Sequence, residues 1–277
     1  MIVALIPAYN AKHTIAEVIF KTMETTVNII VYDDGSTDET AYIAEKCGAQ
    51  VLRGKENRGK GYALRQLFNY AKNYYSELRY NSLVVVTLDA DMQHDPRQIP
   101  CLVKPIKDGD ADVVVGVRRR IPKHRLVPNR LLNFLQDRRL DTQSGFRAYR
   151  FDVIRGLELE QDGFAVDSEI LFKVAGKYRV TTVQVEQYTD RFSHSKNPVA
   201  HFIEVFNFLF LRRPLLNLGL LGVLGFLAGL YEIWHVVSVW SVYRELALGT
   251  FLFGLLFILL GAFTFFTGVI LHVLEKR

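Results

Sequence analysis

The carboxyl-terminal part of this chain is almost free of charge, and this constrains the fold more than any other feature of the sequence. Two apolar segments, Pro214–Trp240 and Leu246–Leu274, are 27 and 29 residues long. A helix needs about 20 apolar residues to cross the hydrocarbon of a bilayer. The link between them, Ser241–Glu245, is too short to form a domain. The sequence therefore predicts a hairpin of two transmembrane helices, at about 214–240 and 246–274.

The distribution of charge predicts on which side of the membrane the rest of the chain lies. The net charge of +5 falls entirely on the residues before Leu215, because the charges from there onward sum to zero. Arg212 and Arg213 precede the first apolar segment, and Lys276 and Arg277 follow the second. Basic residues flank membrane helices mainly on the cytoplasmic side. Both ends of the hairpin, and the domain before it, are therefore expected to face the cytoplasm.

A third segment is expected to lie in the membrane interface. Residues 198–213 carry apolar side chains at helical spacing, which is typical of an amphipathic interfacial helix. These side chains are Phe202, Val205, Phe206, Leu209 and Phe210. The sequence thus predicts three parts, a catalytic domain at 1–197, an interfacial helix at 198–213 and two transmembrane helices at 214–277.

Short aliphatic runs alternate with helical patterns in the first half of the chain. The predicted strands are Ile2–Ile6, Val27–Tyr32, Val51–Leu52, Leu83–Leu88 and Asp112–Val117. The predicted helices lie at about His13–Met23, Thr37–Cys47, Gly61–Tyr75 and Asp95–Lys107. This alternation predicts an α/β domain with a mostly parallel sheet that helices cover on both faces.

Polar clusters follow three of these strands, at Pro7–Asn10, Asp33–Thr37 and Asp89–His94. Ligands of such sheets bind beyond the carboxyl ends of the strands, so these clusters are expected to meet. Asp89 and Asp91 supply hard oxygen ligands, which suit Mg²⁺ or Mn²⁺ bound together with substrate phosphates. The cluster predicts a metal-held diphosphate, and an ordinary turn is the alternative.

Two basic segments are further candidates for binding anions. Gly59-Lys60-Gly61 opens a predicted helix and could present backbone N–H groups and a lysine to an anion, or be a glycine-rich helix start only. Residues 117–130 hold six Lys and Arg residues and no acid, which suits phosphate groups, an anionic membrane surface or a solvated loop. No G-x-G-x-x-G pattern follows the first predicted strand, and the pattern G-x-x-x-x-G-K-[ST] does not occur in the sequence. The sequence therefore does not predict a Rossmann dinucleotide site or a Walker phosphate loop.

Several of these motifs resemble family 2 glycosyltransferases, which have the GT-A fold, a Rossmann-like α/β fold. They are Ile6–Asn10, Tyr32–Thr37 and Asp89–His94, in that order and each at a strand end. Asp141–Tyr149 and Arg191–Lys196 resemble one subgroup, the polyprenyl-phosphate sugar synthases, which includes dolichol-phosphate mannose and dolichol-phosphate glucose synthases. The likeness covers the whole domain before the predicted interfacial helix.

The resemblance implies inverting transfer of a hexose from a UDP-glucose-type or GDP-mannose-type donor to polyprenyl or dolichyl phosphate, with Mg²⁺ or Mn²⁺ as cofactor. It places the metal on Asp89, Asp91 and Gln93. The implied donor-nucleotide residues are Pro7, Tyr9, Asn10, Tyr32, Asp34, Lys60 and Ala90. Residues implied to bind the diphosphate or the acceptor phosphate are Arg118, Arg130, Arg191, Ser195 and Lys196. The implied catalytic residues are Asp89, Asp91, Arg118, Arg130 and Lys196. The expected partners are the nucleotide sugar, the lipid phosphate and the bilayer, with no nucleic acid.

The donor sugar stays open at this point. Ser144 and Gly145 lie in a stretch that resembles the mannose type, whereas Asp167 and Glu169 lie in one closer to the glucose type. All four are expected near the sugar, and a helix-capping role is the alternative for Asp167.

Two other functions remain as alternatives. A lipid phosphate is already an anion near neutral pH, because its second pKa is roughly 6, so it needs no general base. Transfer to a polysaccharide or another hydroxyl acceptor would need one, and Asp167 and Glu169 are the candidates. A non-catalytic membrane scaffold with the same fold is the other alternative.

Glycines recur along both apolar segments. They are Gly219, Gly222, Gly225 and Gly229 in the first and Gly254, Gly261 and Gly268 in the second. Small residues let helices approach closely, either within the hairpin or between subunits of a homo-oligomer.

Overall fold

A computed structural model of the chain describes residues 1–76, 83–118, 144–163, 165–186, 214–243 and 247–275. The chain divides into two compact units, Met1–Val205 and Phe206–Arg277. The first contains a sheet with its helices and the second contains two long helices. The predicted interfacial helix at 198–213 lies outside the described residues, as does the predicted domain end at 197.

Seven strands form the sheet of the first unit, in the order β3-β2-β1-β4-β6-β5-β7. They are β1 (Ile2–Ala8), β2 (Ile29–Asp33), β3 (Gln50–Arg53), β4 (Val84–Thr87), β5 (Val113–Arg118), β6 (Arg147–Arg150) and β7 (Val180–Val185). Strand β6 is antiparallel to β4 and β5, and the other neighbouring pairs are parallel. The five predicted strands and the mostly parallel sheet are confirmed.

Helices cover both faces of this sheet, as predicted. They are α1 (Ile15–Met23), α2 (Thr40–Lys46), α3 (Lys60–Tyr74), α4 (Ile99–Lys107), α5 (Phe151–Arg155) and α6 (Val166–Val174). Side chains of a strand alternate between faces, so Val3 and Leu5 of β1 pack with α3, α5 and α6. Ala4 and Ile6 pack with α1, α2 and α4 on the other face. Two cores thus hold the sheet between them.

Two helices begin later than predicted, because an aspartate forms a turn just before each of them. Asp38 accepts a hydrogen bond from the backbone N–H of Thr40 at 3.0 Å, and α2 begins at Thr40 rather than at Thr37. Asp95 accepts one from the backbone N–H of Arg97 at 3.1 Å and starts the 3-10 turn Pro96–Gln98. Helix α4 follows from Ile99. Short polar side chains favour such turns over the helix interior.

The second unit consists of α7 (Pro214–Tyr243) and α8 (Leu248–Glu275). The candidate spans within them, Asn217–Val242 and Leu248–Leu274, have mean hydropathies of 1.7 and 2.4. Both are long and apolar enough to cross a membrane, by length and composition. The two predicted apolar helices are therefore present.

Glycines line the seam between α7 and α8. A Cβ atom at Gly222 would lie 2.6 Å from the carbonyl oxygen of Gly261, and one at Gly229 would lie 2.6 Å from that of Gly254. These backbones are too close for any side chain, as in other closely packed membrane helices. At these four positions the glycines serve the packing of the hairpin itself.

A charged cluster ties together the sheet edge where β5 and β7 begin. The Asp112 carboxylate accepts hydrogen bonds from the Arg150 guanidinium at 2.6 Å and from the backbone N–H of Arg179 at 2.9 Å. The Arg179 guanidinium contacts it as well, at 3.2 Å. Burial alone would raise the pKa of Asp112, but the bonds from Arg179 and the charge of Arg150 lower it. The folded state therefore favours the ionised carboxylate.

We predict that Asp112→Asn lowers the melting temperature of the detergent-solubilised chain at pH 7 by a few degrees, since a hydrogen bond to a charged group stabilises by roughly 1.5–3 kcal/mol. A lowered pKa gives stability that is present above the unfolded pKa of about 3.9. The difference in melting temperature between variant and wild type should therefore decrease as the pH falls through the pKa that Asp112 has in the folded state. Asp110→Asn, an exposed neighbour, is the control. A difference that persists unchanged at low pH would contradict this role.

Candidate active site

The parallel strands bring the predicted site residues to one edge of the sheet. Strands β1, β2 and β4 run in the same direction, so their carboxyl ends lie side by side. Strand β6 runs the opposite way and begins at this edge, where Arg147 pairs with Thr87. The loops after β1, β2 and β4 and the segment before β6 therefore meet, as predicted from the polar clusters.

Asn10 joins the loop after β1 to the loop after β2. Its φ of +49° is in the left-handed region, which Asn tolerates better than most residues. Its backbone N–H donates to the Ser36 hydroxyl at 2.9 Å, and its side-chain oxygen accepts the backbone N–H of Thr37 at 2.9 Å. Asn10 was implied to bind the nucleotide, and the structure instead engages this oxygen within the protein.

Asp34 holds the loop that leads into α3. It is 3% exposed, and its carboxylate accepts the backbone N–H groups of Arg58 at 3.1 Å and of Gly59 at 2.7 Å. Burial raises the pKa of Asp34, and these two hydrogen bonds counteract part of the effect. The implied role was to accept hydrogen bonds from the nucleotide. In the structure, the Asp34 carboxylate instead accepts hydrogen bonds from the backbone of Arg58 and Gly59, and it thereby fixes the loop before α3.

Aromatic side chains line the same region. Tyr9 is 44% exposed, so its ring is available to a ligand. Tyr32 is buried, and its ring meets the Tyr62 ring edge-on at 6.2 Å between centroids. Burial, followed by the nearby Tyr62, raises the pKa of Tyr32 to about 12. The Arg58 guanidinium lies over Tyr62, 4.1 Å from the ring centroid. Of the two predicted tyrosines, Tyr9 is open to solvent and Tyr32 is packed in the hydrophobic core.

The Lys60 side chain bridges two of the predicted site acids. Its ammonium lies 2.7 Å from Oδ1 of Asp89 and 2.9 Å from Oδ2 of Asp167. Burial alone would lower the pKa of Lys60, but the charges of Asp167 and Asp89 outweigh it and raise the pKa. Lys60 is therefore a protonated cation between two carboxylates. The sequence had assigned it to the donor nucleotide.

The backbone carbonyl of Asp162 accepts hydrogen bonds from the first turn of α3. The N–H groups of Gly61 and Tyr62 donate to the carbonyl oxygen of Asp162, at 2.7 Å and 3.2 Å. Gly59 has a φ of +98°, and a Cβ there would lie 2.5 Å from that same oxygen. The structure therefore supports the alternative of a glycine-rich helix start, whose glycines admit the loop at Asp162.

Asp91 lies in a tight turn after β4. Its Oδ1 accepts the backbone N–H of Gln93 at 3.0 Å, and Met92 between them has a φ of +61°. Ala90, implied to contact the nucleotide, is buried, and its carbonyl accepts the Thr14 hydroxyl at 2.6 Å. These bonds fix the loop that carries the Asp-x-Asp pair.

The donor set of this loop fits a divalent cation only in part. Asp91 and Gln93 have the oxygen ligands that Mg²⁺ and Mn²⁺ prefer, whereas Oδ1 of Asp89 is already paired with Lys60. In the part of the chain that the structure describes, no cluster of three or more His, Cys, Asp or Glu side chains could hold a metal. A cation at Asp91 would therefore need further ligands from outside this loop.

Gly145 lies directly against the Lys60–Asp89 pair. A Cβ atom at this position would be 2.5 Å from Oδ2 of Asp89 and 2.6 Å from the Lys60 ammonium. The carbonyl of Gly145 accepts the Thr87 hydroxyl at 2.9 Å, which fixes this backbone. Glycine at this position leaves room for the ion pair, which a larger side chain would have to displace. The preceding Ser144, expected near the sugar, is fully buried.

The two acids of α6 have different surroundings. Asp167 does not occupy the N-cap position, because α6 begins at Val166 and Asp167 lies within its first turn. It pairs with Lys60 instead. Glu169, expected near the sugar, is fully buried and accepts the backbone N–H groups of Glu160 and Gln161, both at 2.9 Å. Glu169 thus anchors the loop that covers the start of α3.

Two buried residues of β6 were not predicted as part of the site. Arg147 is fully buried and pairs with Thr87 in the sheet, and Tyr149 is fully buried on the same strand. Burial raises the pKa of Tyr149, although Arg147 beside it lowers that pKa. One sign of a buried role was present in the sequence, because the charged Arg147 stands between the apolar residues Phe146 and Ala148.

Several predicted phosphate-binding residues lie outside the described residues. They are Arg130, Arg191, Ser195 and Lys196. The backbone of Arg118 ends β5, which runs parallel to β4, so it lies at the same edge as Asp91. The roles of these residues stay predictions.

Comparison with known proteins identifies the family. Residues 3–218 match glycosyl transferase family 2. This chain belongs to that family. The glycosyltransferase AglJ of Haloferax volcanii is 29% identical over 260 residues, which cover 86% of this chain and 82% of AglJ. A dolichol-phosphate mannosyltransferase of Pyrococcus furiosus is 31% identical over 198 residues, which cover 63% of this chain and 52% of the relative.

A solved structure supports the fold of this glycosyltransferase. Glucosyl-3-phosphoglycerate synthase of Mycobacterium tuberculosis, in complex with Mn²⁺, UDP-glucose and phosphoglyceric acid, superposes with a TM-score of 0.61. The likeness covers 76% of this chain and 77% of that chain at 24% identity. The expected GT-A fold is therefore confirmed.

We predict that Gly145→Ala lowers the activity of the glycosyltransferase by about ten- to a hundredfold, since small misplacements of reacting groups have effects of this size. The added methyl group meets the flexible ends of Lys60 and Asp89, which can move, so the melting temperature should change little. Gly249→Ala is the control, because a Cβ there would meet nothing within 4 Å. Full activity of Gly145→Ala would show that the ion pair does not need this space.

Proposed function

We propose that this glycosyltransferase transfers a hexose from a nucleotide sugar to polyprenyl or dolichyl phosphate, with inversion at the anomeric carbon. One observation carries the proposal: Asp91 and the carboxyl end of β5 at Arg118 lie at the same sheet edge. The loop that carries Asp91 would hold the diphosphate of the donor. The basic residues that follow Arg118 in the sequence would hold a second anion, the acceptor phosphate.

The donor nucleotide would lie across the ends of β1 and β2. Tyr9 has an exposed ring that a base can stack on. Asp91 and Gln93 would hold Mg²⁺ or Mn²⁺, which when bound stabilises the negative charge of the departing nucleoside diphosphate. Asp34 and Tyr32 would contribute by shaping the pocket rather than by direct contact, because their polar groups bond or pack within the protein.

The acceptor phosphate would attack without a general base. Its second pKa of roughly 6 makes it largely an anion at neutral pH. A phosphate oxygen would form a bond to the anomeric carbon as the bond to the diphosphate oxygen breaks, and in-line attack on an α-linked donor gives a β-linked product. Positioning of the two anions would supply most of the rate enhancement. Arg118, Arg130, Arg191, Ser195 and Lys196 are the proposed positioning groups.

The surroundings of Asp167 and Glu169, the two candidate general bases, do not favour transfer to a hydroxyl acceptor. Asp167 is paired with the Lys60 ammonium, and Glu169 is fully buried with backbone N–H groups on both oxygens. A general base must reach the hydroxyl proton it removes, and the oxygens of both carboxylates already bond within the protein. The relative named as a dolichol-phosphate mannosyltransferase also supports a lipid phosphate as the acceptor.

The two apolar helices support a membrane location for this reaction. We propose that α7 and α8 span the bilayer and keep the catalytic domain at the surface where the lipid phosphate lies. The flanking basic residues Arg212, Arg213, Lys276 and Arg277 favour the cytoplasmic face.

The test is an assay of the full chain in detergent with Mg²⁺, labelled UDP-glucose or GDP-mannose, and a polyprenyl phosphate. We expect a lipid-linked sugar whose anomeric configuration, read by NMR, is opposite to that of the donor. Nucleotide-sugar binding without turnover would instead support a non-catalytic scaffold. Transfer to a hydroxyl acceptor with none to the lipid phosphate would support the polysaccharide alternative.

We predict that Asp91→Asn lowers turnover by about a hundredfold or more without a change in melting temperature, as expected for loss of a group that stabilises the transition state. Asp108→Asn, an exposed residue after α4, is the matched control and should keep full activity. Retained activity of Asp91→Asn would contradict the assignment of the metal and the diphosphate to this strand end.

A further inference from the structure

The segment that leads from β1 into α1 is bonded to the loops on both sides of it. The backbone N–H of Asn10 donates to the hydroxyl of Ser36, in the loop after β2, at 2.9 Å. The Thr14 hydroxyl donates to the carbonyl oxygen of Ala90, in the loop after β4, at 2.6 Å. Strands β2 and β4 lie on either side of β1 in the sheet. Residues 10–14 therefore join two loops that contribute to the candidate site.

The bond between Thr14 and Ala90 is enclosed. Thr14 is 4% exposed and Ala90 is 7% exposed, although they lie 76 positions apart in the chain. Thr14 directly precedes α1, and Ile15 at the start of that helix packs in the same core as Ala90. Helix α1 thus holds the hydroxyl in place against the carbonyl. A buried carbonyl that loses its donor pays the cost of desolvation without compensation.

Ala90 stands between the two acids of the Asp-x-Asp pair, so the position of its carbonyl affects the backbone that carries Asp91. The Asp91 carboxylate is itself bonded to the following turn, through the backbone N–H of Gln93 at 3.0 Å. A shift at Ala90 is therefore expected to move this turn together with the carboxylate. Misplacement of a group that acts on the reacting atoms lowers the rate strongly, even when the displacement is below 1 Å.

We propose that Thr14 is a positioning residue of this glycosyltransferase, whose hydroxyl holds the loop after β4 so that Asp91 meets the donor diphosphate. Thr14 acts on the reaction through the carbonyl of Ala90. The inference rests on the proposed function, which assigns the diphosphate to Asp91. Its effect should appear in kcat, because the charge on the departing diphosphate develops in the transition state.

The test compares kcat and KM of Thr14→Val and wild type, as full chains in detergent with Mg²⁺, polyprenyl phosphate and the labelled nucleotide sugar that the wild type uses. A carbon atom approaches a carbonyl oxygen to about 3.3 Å, so the new methyl group should push the loop away by roughly 0.7 Å. We expect kcat to fall by about ten- to a hundredfold, with KM for the nucleotide sugar changed by less than about threefold. A kcat within about threefold of wild type would overturn the proposal.

Thr14→Ser separates positioning from a loss of stability. It removes the methyl group and keeps the hydroxyl, so kcat should stay within about threefold of wild type even where the melting temperature falls. Equal losses of kcat in Thr14→Ser and Thr14→Val would contradict a role of the hydroxyl. Where Thr14→Val does not fold, Thr14→Ala removes the hydroxyl without the new contact. It should lower kcat by at least about fivefold, and an unchanged kcat would again overturn the proposal.

Thr22→Val is the matched control. Thr22 is fully buried in the same helix, and its hydroxyl donates to the carbonyl of Val18 at 2.7 Å, within α1. This variant should keep the kcat of wild type, whatever its melting temperature. A loss as large as that of Thr14→Val would show that any buried hydroxyl of α1 matters equally, which contradicts a specific role of Thr14.

A double-mutant cycle tests whether Thr14 acts through Asp91. In the Asp91→Asn background, Thr14→Val should change kcat by less than about threefold, because the group that it positions is already lost. Independent, multiplicative losses would overturn the proposal. Retained activity of Asp91→Asn alone would contradict the proposed function itself. Loss of activity in Asp91→Asn with no effect of Thr14→Val would contradict this inference alone.

Discussion

Parallel pairing of β1 with β2 and β4 is the constraint on which the candidate site depends. Because these strands share a direction, the residues after Ala8, Asp33 and Thr87 meet at one edge although they lie far apart in the chain. The antiparallel β6 adds Gly145 to the same edge, and β5 ends there at Arg118. If β5 ran in the opposite direction, its carboxyl end at Arg118 would lie at the other edge of the sheet, away from the carboxylates after β4.

Within this frame, several polar groups that the structure describes at this edge bond to other parts of the protein. Asn10 bonds to the loop after β2, and Asp34 bonds to the loop before α3. Glu169 bonds to the segment just before Asp162, which contacts the start of α3. Lys60 and Asp89 neutralise each other beside Gly145. Such interlocked bonds fix the loops, and fixed loops hold the groups that bind the donor in position without a cost at each turnover. Tyr9 and Asp91 are the groups of this edge to which we assign the donor.

The fold was largely predictable from the sequence, and the partners of the site residues were not. Aliphatic runs with turn signals mark β1, β2 and β4, and apolar length marks α7 and α8. Strand β6 has four residues, two of them arginines, so no periodicity could reveal it. The pairing of Lys60 with Asp167 joins residues 107 positions apart, which no local pattern contains. The motifs also predicted that Asn10, Asp34 and Glu169 belong to the site. The identity of a residue does not indicate, however, whether its side chain bonds to a ligand or to a backbone amide.

The most direct test of the central claim is an experimental structure of the full chain with Mn²⁺ and a nucleoside diphosphate bound. The account predicts a manganese peak in the anomalous density at bonding distance from the Asp91 carboxylate and from the diphosphate oxygens. The Lys60 ammonium should remain in contact with Asp89 in that complex. A diphosphate bound away from the carboxyl ends of β1, β2 and β4, or a metal without Asp91 among its ligands, would contradict the account.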